Sequence, residues 1–245
     1  MPLSFKQITW RGRMYRVSLS RILVSRRRAI TGLALGLAAG FGGVTAAADT
    51  QIWYATGTFG FVTQSDQELA YTRPGVAGSA ISELPLDTGF LAGGSIGRYL
   101  NDAWRIEGEF MYQSVDHPVF TLAGSGPSGD GNYASTSIAL NALREFDFFG
   151  SPRTRTYVGL GAVYATEIDV DFVSGGVERS FSGSEAGVQV LLGARYPLGE
   201  RAFIDAGVRY LLASNVDLDG EEGAVGQVKA HYEPLAATIS LGWRF

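Results

Sequence analysis

WRIEGEFMYQ, residues 104–113, alternates without a break. Trp104, Ile106, Gly108, Phe110 and Tyr112 share one parity; Arg105, Glu107, Glu109, Met111 and Gln113 share the other. Successive side chains of a strand point to opposite faces, so this segment is greasy on one side and charged on the other. The stretch predicts a strand that separates an apolar environment from a polar one.

The same rhythm recurs along the chain. At the end, Leu235, Ala237, Ile239, Leu241, Trp243 and Phe245 oppose Ala236, Thr238, Ser240, Gly242 and Arg244. In AFIDAGVRYLL, from 202, Ile204, Ala206, Val208 and Tyr210 oppose Asp205, Gly207 and Arg209. In GVQVLLGARY, from 187, Val188, Val190, Leu192 and Ala194 oppose Gln189, Gly193 and Arg195. Weaker strands are predicted for QIWYATGTFGFVT from 51, DTGFLAGGSIGRYL from 87, YASTSIALNALREF from 133 and TRTYVGLGAVYAT from 154. Eight strands result. Short connections at 101–102, 149–153 and 198–201 alternate with long polar stretches at 64–86, 115–132, 167–184 and 215–232, which are expected to be loops. That pattern describes an antiparallel up-and-down meander with an even strand number. Short turns on one side and long loops on the other are the habit of transmembrane barrels of the bacterial outer membrane.

Alternation alone also permits a soluble barrel with an apolar interior. Two features decide against it. Charges occupy the middles of strands, where Arg105, Glu107, Glu109, Arg195, Asp205 and Arg209 are expected to form an interior charge network. Aromatic residues gather near strand ends: Trp53, Tyr54, Trp104, Tyr112, Tyr157, Tyr196, Tyr210, Trp243 and Phe245. Girdles of this kind flank the apolar band of a lipid-facing exterior. The fold expected is an all-β, eight-stranded antiparallel up-and-down transmembrane barrel. Its interior is just wide enough for side chains to fill, which argues against a general aqueous pore.

The first part of the chain is of another kind. Of the 20 lysines and arginines, eight lie in residues 1–48, which contain no acid; from Asp49 onward, twelve face 24 acids, a net charge of −12. So acidic a remainder argues against nucleic acid as a partner. Arg26, Arg27 and Arg28 precede the uncharged AITGLALGLAAGFGGVTAAA, and then Asp49. This reads as a cleaved secretory signal region over 1–48, with AAA at 46–48 as the cleavage site and a barrel domain over 49–245. A membrane anchor is disfavoured by the glycine and alanine content and by the lack of a basic cluster after it. SRRR at 25–28 faintly suggests twin-arginine export, but a barrel needs unfolded cargo, so general secretion is preferred. Translation could start at Met1 or Met14.

The ending SLGWRF, together with YVGLGAVYA at 157–165, WRIEGEF at 104–110 and ALNALREF at 139–146, resembles the small eight-stranded outer-membrane barrels of the OmpA-type and Opa-like group. The resemblance implies that Leu241, Trp243 and Phe245 form a C-terminal signal read by the barrel assembly machinery. It also implies outer-membrane lipid and lipopolysaccharide as surroundings and an unidentified extracellular ligand at the loops. No peptidoglycan-binding domain of the OmpA kind is expected after the barrel. The function expected is structural or surface-interacting. A narrow pore for small solutes and a lipid A-modifying enzyme are the alternatives.

The chemistry available is thin. There are no cysteines and two histidines, His117 and His231, near loop-side ends of strands that are not neighbours. A base must reach its nucleophile, and no nucleophile motif surrounds either, so no catalytic residue is expected. DLDGEE at 217–222 lacks the full calcium-loop spacing, and EIDVD at 167–171 reads as a solvated acidic segment, with weak divalent bridging to lipopolysaccharide the sharper alternative. GSGPSGDGN at 124–132 is followed by no helix to hold a phosphate. Neither cofactor nor metal is expected.

Overall fold

The computed structural model describes residues 53–72, 75, 79–84, 86–117, 120–122, 126–147, 153–174, 177–213, 215–221 and 224–245. The signal region expected over 1–48 lies outside the described residues. Within them the chain forms thirteen strands: β1 (Trp53–Thr63), β2 (Gln67–Thr72), β3 (Ser79–Leu84), β4 (Gly89–Tyr99), β5 (Trp104–His117), β6 (Phe120–Leu122), β7 (Gly126–Asp147), β8 (Arg155–Ser174), β9 (Val177–Pro197), β10 (Ala202–Ala213), β11 (Asn215–Glu221), β12 (Gln227–His231) and β13 (Leu235–Arg244).

Eight of them close a barrel. The antiparallel order is β1–β4–β5–β7–β8–β9–β10–β13, and β13 returns to β1 from Tyr54↔Arg244 to Thr63↔Leu235. Closure pairs the backbone groups that lipid could not satisfy. The seam is tied at its end by the Phe245 amide, which donates to the Trp53 carbonyl at 2.9 Å.

The wall is apolar outside and polar inside. Phe59, Phe61, Ile96, Ile106, Ile138, Leu140, Leu160, Val190, Leu192, Ile239 and Leu241 are all exposed. On β5, Arg105, Glu107 and Glu109 point inward and are buried. Most of the expected girdle faces outward, including Trp53, Trp104, Tyr196, Tyr210, Trp243 and Phe245. Tyr54 and Tyr157 do not: both are buried in the lumen. Their parity explains it, since each follows or precedes an outward residue on its strand, Trp53 and Val158. Two lumenal glycines leave room for the rings. A Cβ at Gly97 would lie 2.1 Å from Tyr54 Cζ, and one at Gly193 would lie 2.5 Å from the Tyr157 hydroxyl.

The long stretches expected to be loops are largely strand. β7, β8 and β9 run well beyond the membrane barrel, and the upper part of β9 leaves β10 to pair with β11 through Ser182↔Asp219 and Ser180↔Glu221. The sheet continues β11–β12–β2–β3, with β6 added to β7. This extension beyond the membrane wall has the opposite polarity. Leu69, Tyr71, Tyr133, Ile168, Val170, Phe181, Val216, Leu218 and Val228 form its buried core. Its outer wall carries Glu167, Asp169, Asp171, Asp217, Asp219 and Glu221. Water outside selects a polar wall and an apolar filling; lipid outside selects the reverse. On β8 a bulge makes the change. The pairing with β7 steps from Ser137↔Ala165 to Thr136↔Glu167, leaving Thr166 as the extra residue. One added residue shifts the parity, so Ile168 and Val170 turn inward and the acids turn out.

Candidate functional site: the lumenal charge network

Hairpin geometry brings the turn-proximal parts of the strands to common levels inside the barrel, and two tiers of charge result. The tier nearer the short turns is built on Arg105 and Arg195, each almost fully buried. Arg195 grips Asp205 with two parallel hydrogen bonds, Nε to Oδ1 at 2.8 Å and Nη2 to Oδ2 at 2.7 Å. Its Nη1 donates to the Tyr99 hydroxyl at 2.5 Å. The guanidinium lies 3.8 Å from the centre of the Phe203 ring and 4.6 Å from that of Tyr54. Arg105 contacts Glu107, donates to the Tyr54 hydroxyl at 2.7 Å, and brings Nε to 2.9 Å from Glu145 Oε1 as an ion pair rather than an aligned hydrogen bond. Glu107 and Glu145 also stand 4.0 and 3.8 Å from Arg195.

The second tier lies above. Arg209 forks onto Glu109, with Nη1 to Oε1 at 2.6 Å and Nη2 to Oε2 at 2.9 Å. Gln189 Nε2 donates to Glu109 Oε1 at 3.2 Å and to Asn141 Oδ1 at 2.7 Å. Arg155 at the mouth, shared between Glu145 at 3.5 Å and Asp147 at 3.2 Å, adds a further cation beside Glu145. Buried charge is tolerated only when paired and hydrogen-bonded in this way.

All six residues expected from the sequence, Arg105, Glu107, Glu109, Arg195, Asp205 and Arg209, therefore line the lumen, divided between the two tiers. Sequence reasoning missed Glu145, Tyr99 and Asn141, and assigned Tyr54 to the girdle. Parity was the available signal: Asn141, Leu143 and Glu145 share a face, and Tyr54 opposes Trp53.

Above the second tier is a cavity of about 20 Å³, lined by residues including Gln113, Gln189, Arg209, Leu211 and Tyr232. That is room for one water. Higher still, Tyr232 accepts from Gln113 Nε2 at 2.9 Å and contacts Ser135, and the apolar core of the extension begins. The histidines are apart in kind. His117 is buried, its Nε2 2.8 Å from the Asp171 carbonyl, whereas His231 is exposed on β12. Among the described residues no group of three or more histidines and acids is placed to hold a metal. Outside the membrane region, burial raises the Asp169 carboxyl to about 7, helped by the nearby charges of Glu167, Asp171 and Glu221. Leu241, Trp243 and Phe245 all face lipid on the last strand and its end.

A closed, eight-stranded antiparallel barrel with a lipid-facing apolar wall and a paired polar interior is a transmembrane protein of the bacterial outer membrane. Residues 33–245 match the outer membrane protein beta-barrel domain family, and the chain belongs to it. Among solved structures, OprG from Pseudomonas aeruginosa superposes with a TM-score of 0.58 at 20% identity, covering 80% of this chain and 99% of that one. Neisserial surface protein A gives 0.42 at 19% identity, covering 81% and 100%. The outer membrane protease OmpT from Escherichia coli gives 0.46 at 8% identity, covering 82% and 99%. At these identities the likeness is one of fold alone. No curated protein sequence matches the chain.

Proposed function

We propose that the protein is a non-conducting, non-enzymatic barrel that serves the outer membrane structurally and presents its extracellular sheet extension at the cell surface. The observation that supports this most is the filling of the lumen. Two tiers of paired charge are followed by a one-water cavity and then by a packed apolar core. A conducting path needs continuous water, and each of these levels interrupts it. The partners proposed are the lipopolysaccharide and phospholipid around the wall and, during biogenesis, the barrel assembly machinery at Leu241, Trp243 and Phe245. Rigid scaffolds commonly carry function on the loops they hold up, so any extracellular ligand belongs at the rim of the extension. The placement of the histidines supports a non-catalytic reading, since one is buried within the wall and the other lies on the outer face.

Planar-bilayer recording tests the proposal. Purified protein should insert without a reproducible single-channel current. A steady conductance that is lost when Arg209 or Glu109 is replaced would replace this reading with solute transport.

A further inference from the structure

On the outer wall at the short-turn rim, Arg98 and Arg144 have no carboxylate partner among the described residues, unlike Arg105, Arg195 and Arg209 in the lumen. Arg98 on β4 lies directly across from Trp53 on β1, its guanidinium 5.4 Å from the indole centre. Arg144 on β7 lies directly across from Trp104 on β5, at 5.8 Å. Both arginines are exposed, and among the described residues neither forms an ion pair. Asp147, an exposed acid of this rim, is already engaged by Arg155 at 3.2 Å. A guanidinium resting on an indole face keeps its edge N–H groups free to pair with two oxygens of a phosphate.

The two pairs bracket β5. Arg98 stands opposite Ile106, and Arg144 opposite Trp104. Two strand spacings across and two residues along put their Cα atoms roughly 12 Å apart. Directly above, Gly108 faces outward between Ile96 and Leu140, its cross-strand partners. Ile96 and Leu140 are exposed, while a Cβ at Gly108 would meet nothing within 4 Å. The wall thus has a notch at Gly108, open to lipid between Ile106 and Phe110 along β5, with a cation on either side below it.

We propose that this surface binds one anionic glycerophospholipid of the periplasmic leaflet, its phosphate held by Arg98 and Arg144 and an acyl chain laid over Ile106 and Gly108. The girdle tryptophans set the level, because interfacial aromatics sit at the headgroups, where the phosphates are. Charge complementarity selects an anionic over a zwitterionic headgroup. The notch selects a lipid over a free phosphate.

Tryptophan quenching by bromine-labelled acyl chains tests it. The protein is extracted from outer membranes, delipidated and reconstituted in phosphatidylcholine vesicles containing a minor fraction of brominated phosphatidylglycerol or brominated phosphatidylcholine. The anionic lipid should quench more strongly, with a preference on the order of fivefold per arginine at low salt. Arg98→Gln with Arg144→Gln should bring the preference close to one while the gel mobility still shifts on boiling. If the double variant fails to fold, each single variant should lose part of the preference and the lysine variants should restore it. Arg201→Gln, elsewhere on the same rim, should leave the preference unchanged, and Gly108→Leu should reduce it with both arginines intact. Equal quenching by the two lipids in the parent overturns the site. An Arg201→Gln loss as large as that of Arg98→Gln reduces it to diffuse attraction, and an unaltered Gly108→Leu removes the acyl notch. Relief of quenching by excess soluble glycerol phosphate would show a phosphate site without lipid selectivity, and so overturn the proposal.

Discussion

Glu109 is held by a single cation, Arg209, which takes both of its oxygens, while Gln189 shares one of them. Removing one partner leaves the other charge buried and uncompensated, a larger loss than the net worth of the pair. Glu109→Ala should therefore destabilise the barrel by about 3–5 kcal/mol, whereas Glu109→Leu combined with Arg209→Met should be close to neutral. Urea unfolding in lipid vesicles, followed by tryptophan fluorescence, separates the two outcomes. Asp169 makes the opposite kind of residue-level argument. Its carboxyl is raised to about 7 by burial and by neighbouring acids, so the fold favours the protonated form. The stability this contributes is fully present below the ordinary carboxylate pKa and is lost as pH rises through about 7. Amides of Val170 and Phe181, in the core behind it, should exchange more slowly at pH near 5 than near 8 once intrinsic rates are corrected. Asp169→Asn should flatten that difference, and an unchanged difference would assign it to another group.

At the level of the strand, the instructive element is β8. Its lower half presents Val158, Leu160 and Tyr164 to lipid, and its upper half presents Glu167, Asp169 and Asp171 to water. A single parity could not serve both halves of its own sequence, and the bulge at Thr166 reconciles them. Deleting Thr166 should turn the three acids into the apolar core of the extension. The expected result is a barrel that still shifts in gel mobility on boiling but whose extension is cleaved by protease added outside intact cells. A protease-resistant extension in that variant would mean that the bulge is incidental. The same element shows why four loops were expected where strands stand. EIDVD alternates as cleanly as any membrane segment, but its acids suggested solvent, and solvent suggested loop. The inner residues Ile168 and Val170 were the legible sign of a strand that leaves the membrane and continues.

For the whole molecule, closure and filling act together. The ring of strands leaves no lipid-exposed edge, and charge pairs drawn from β5, β7, β9 and β10 cross the lumen at two separate heights. Because the tiers are built on different ion pairs, opening one should not open the barrel. Glu109→Ala combined with Arg209→Ala should remain silent in planar bilayers, since Arg105 and Arg195 still block the lower level with Tyr54, Tyr99 and Phe203. A current in that variant would show that the lower tier leaks.

Parity and composition were enough to specify eight membrane strands, their apolar exterior and the six charges that turn inward. A strand's two faces are written residue by residue, and lipid and lumen sort them by polarity alone. The pairing of Arg105 with Glu145 and Arg209 with Glu109 was not legible there, because it depends on register between strands as far as 100 residues apart, whereas Arg195 and Asp205 face each other across a single hairpin. Nor was the inversion of polarity above the membrane. On β8 the sequence carries the same alternation through both regions, and which face turns inward there is set by what surrounds the wall at each height and by one extra residue at Thr166.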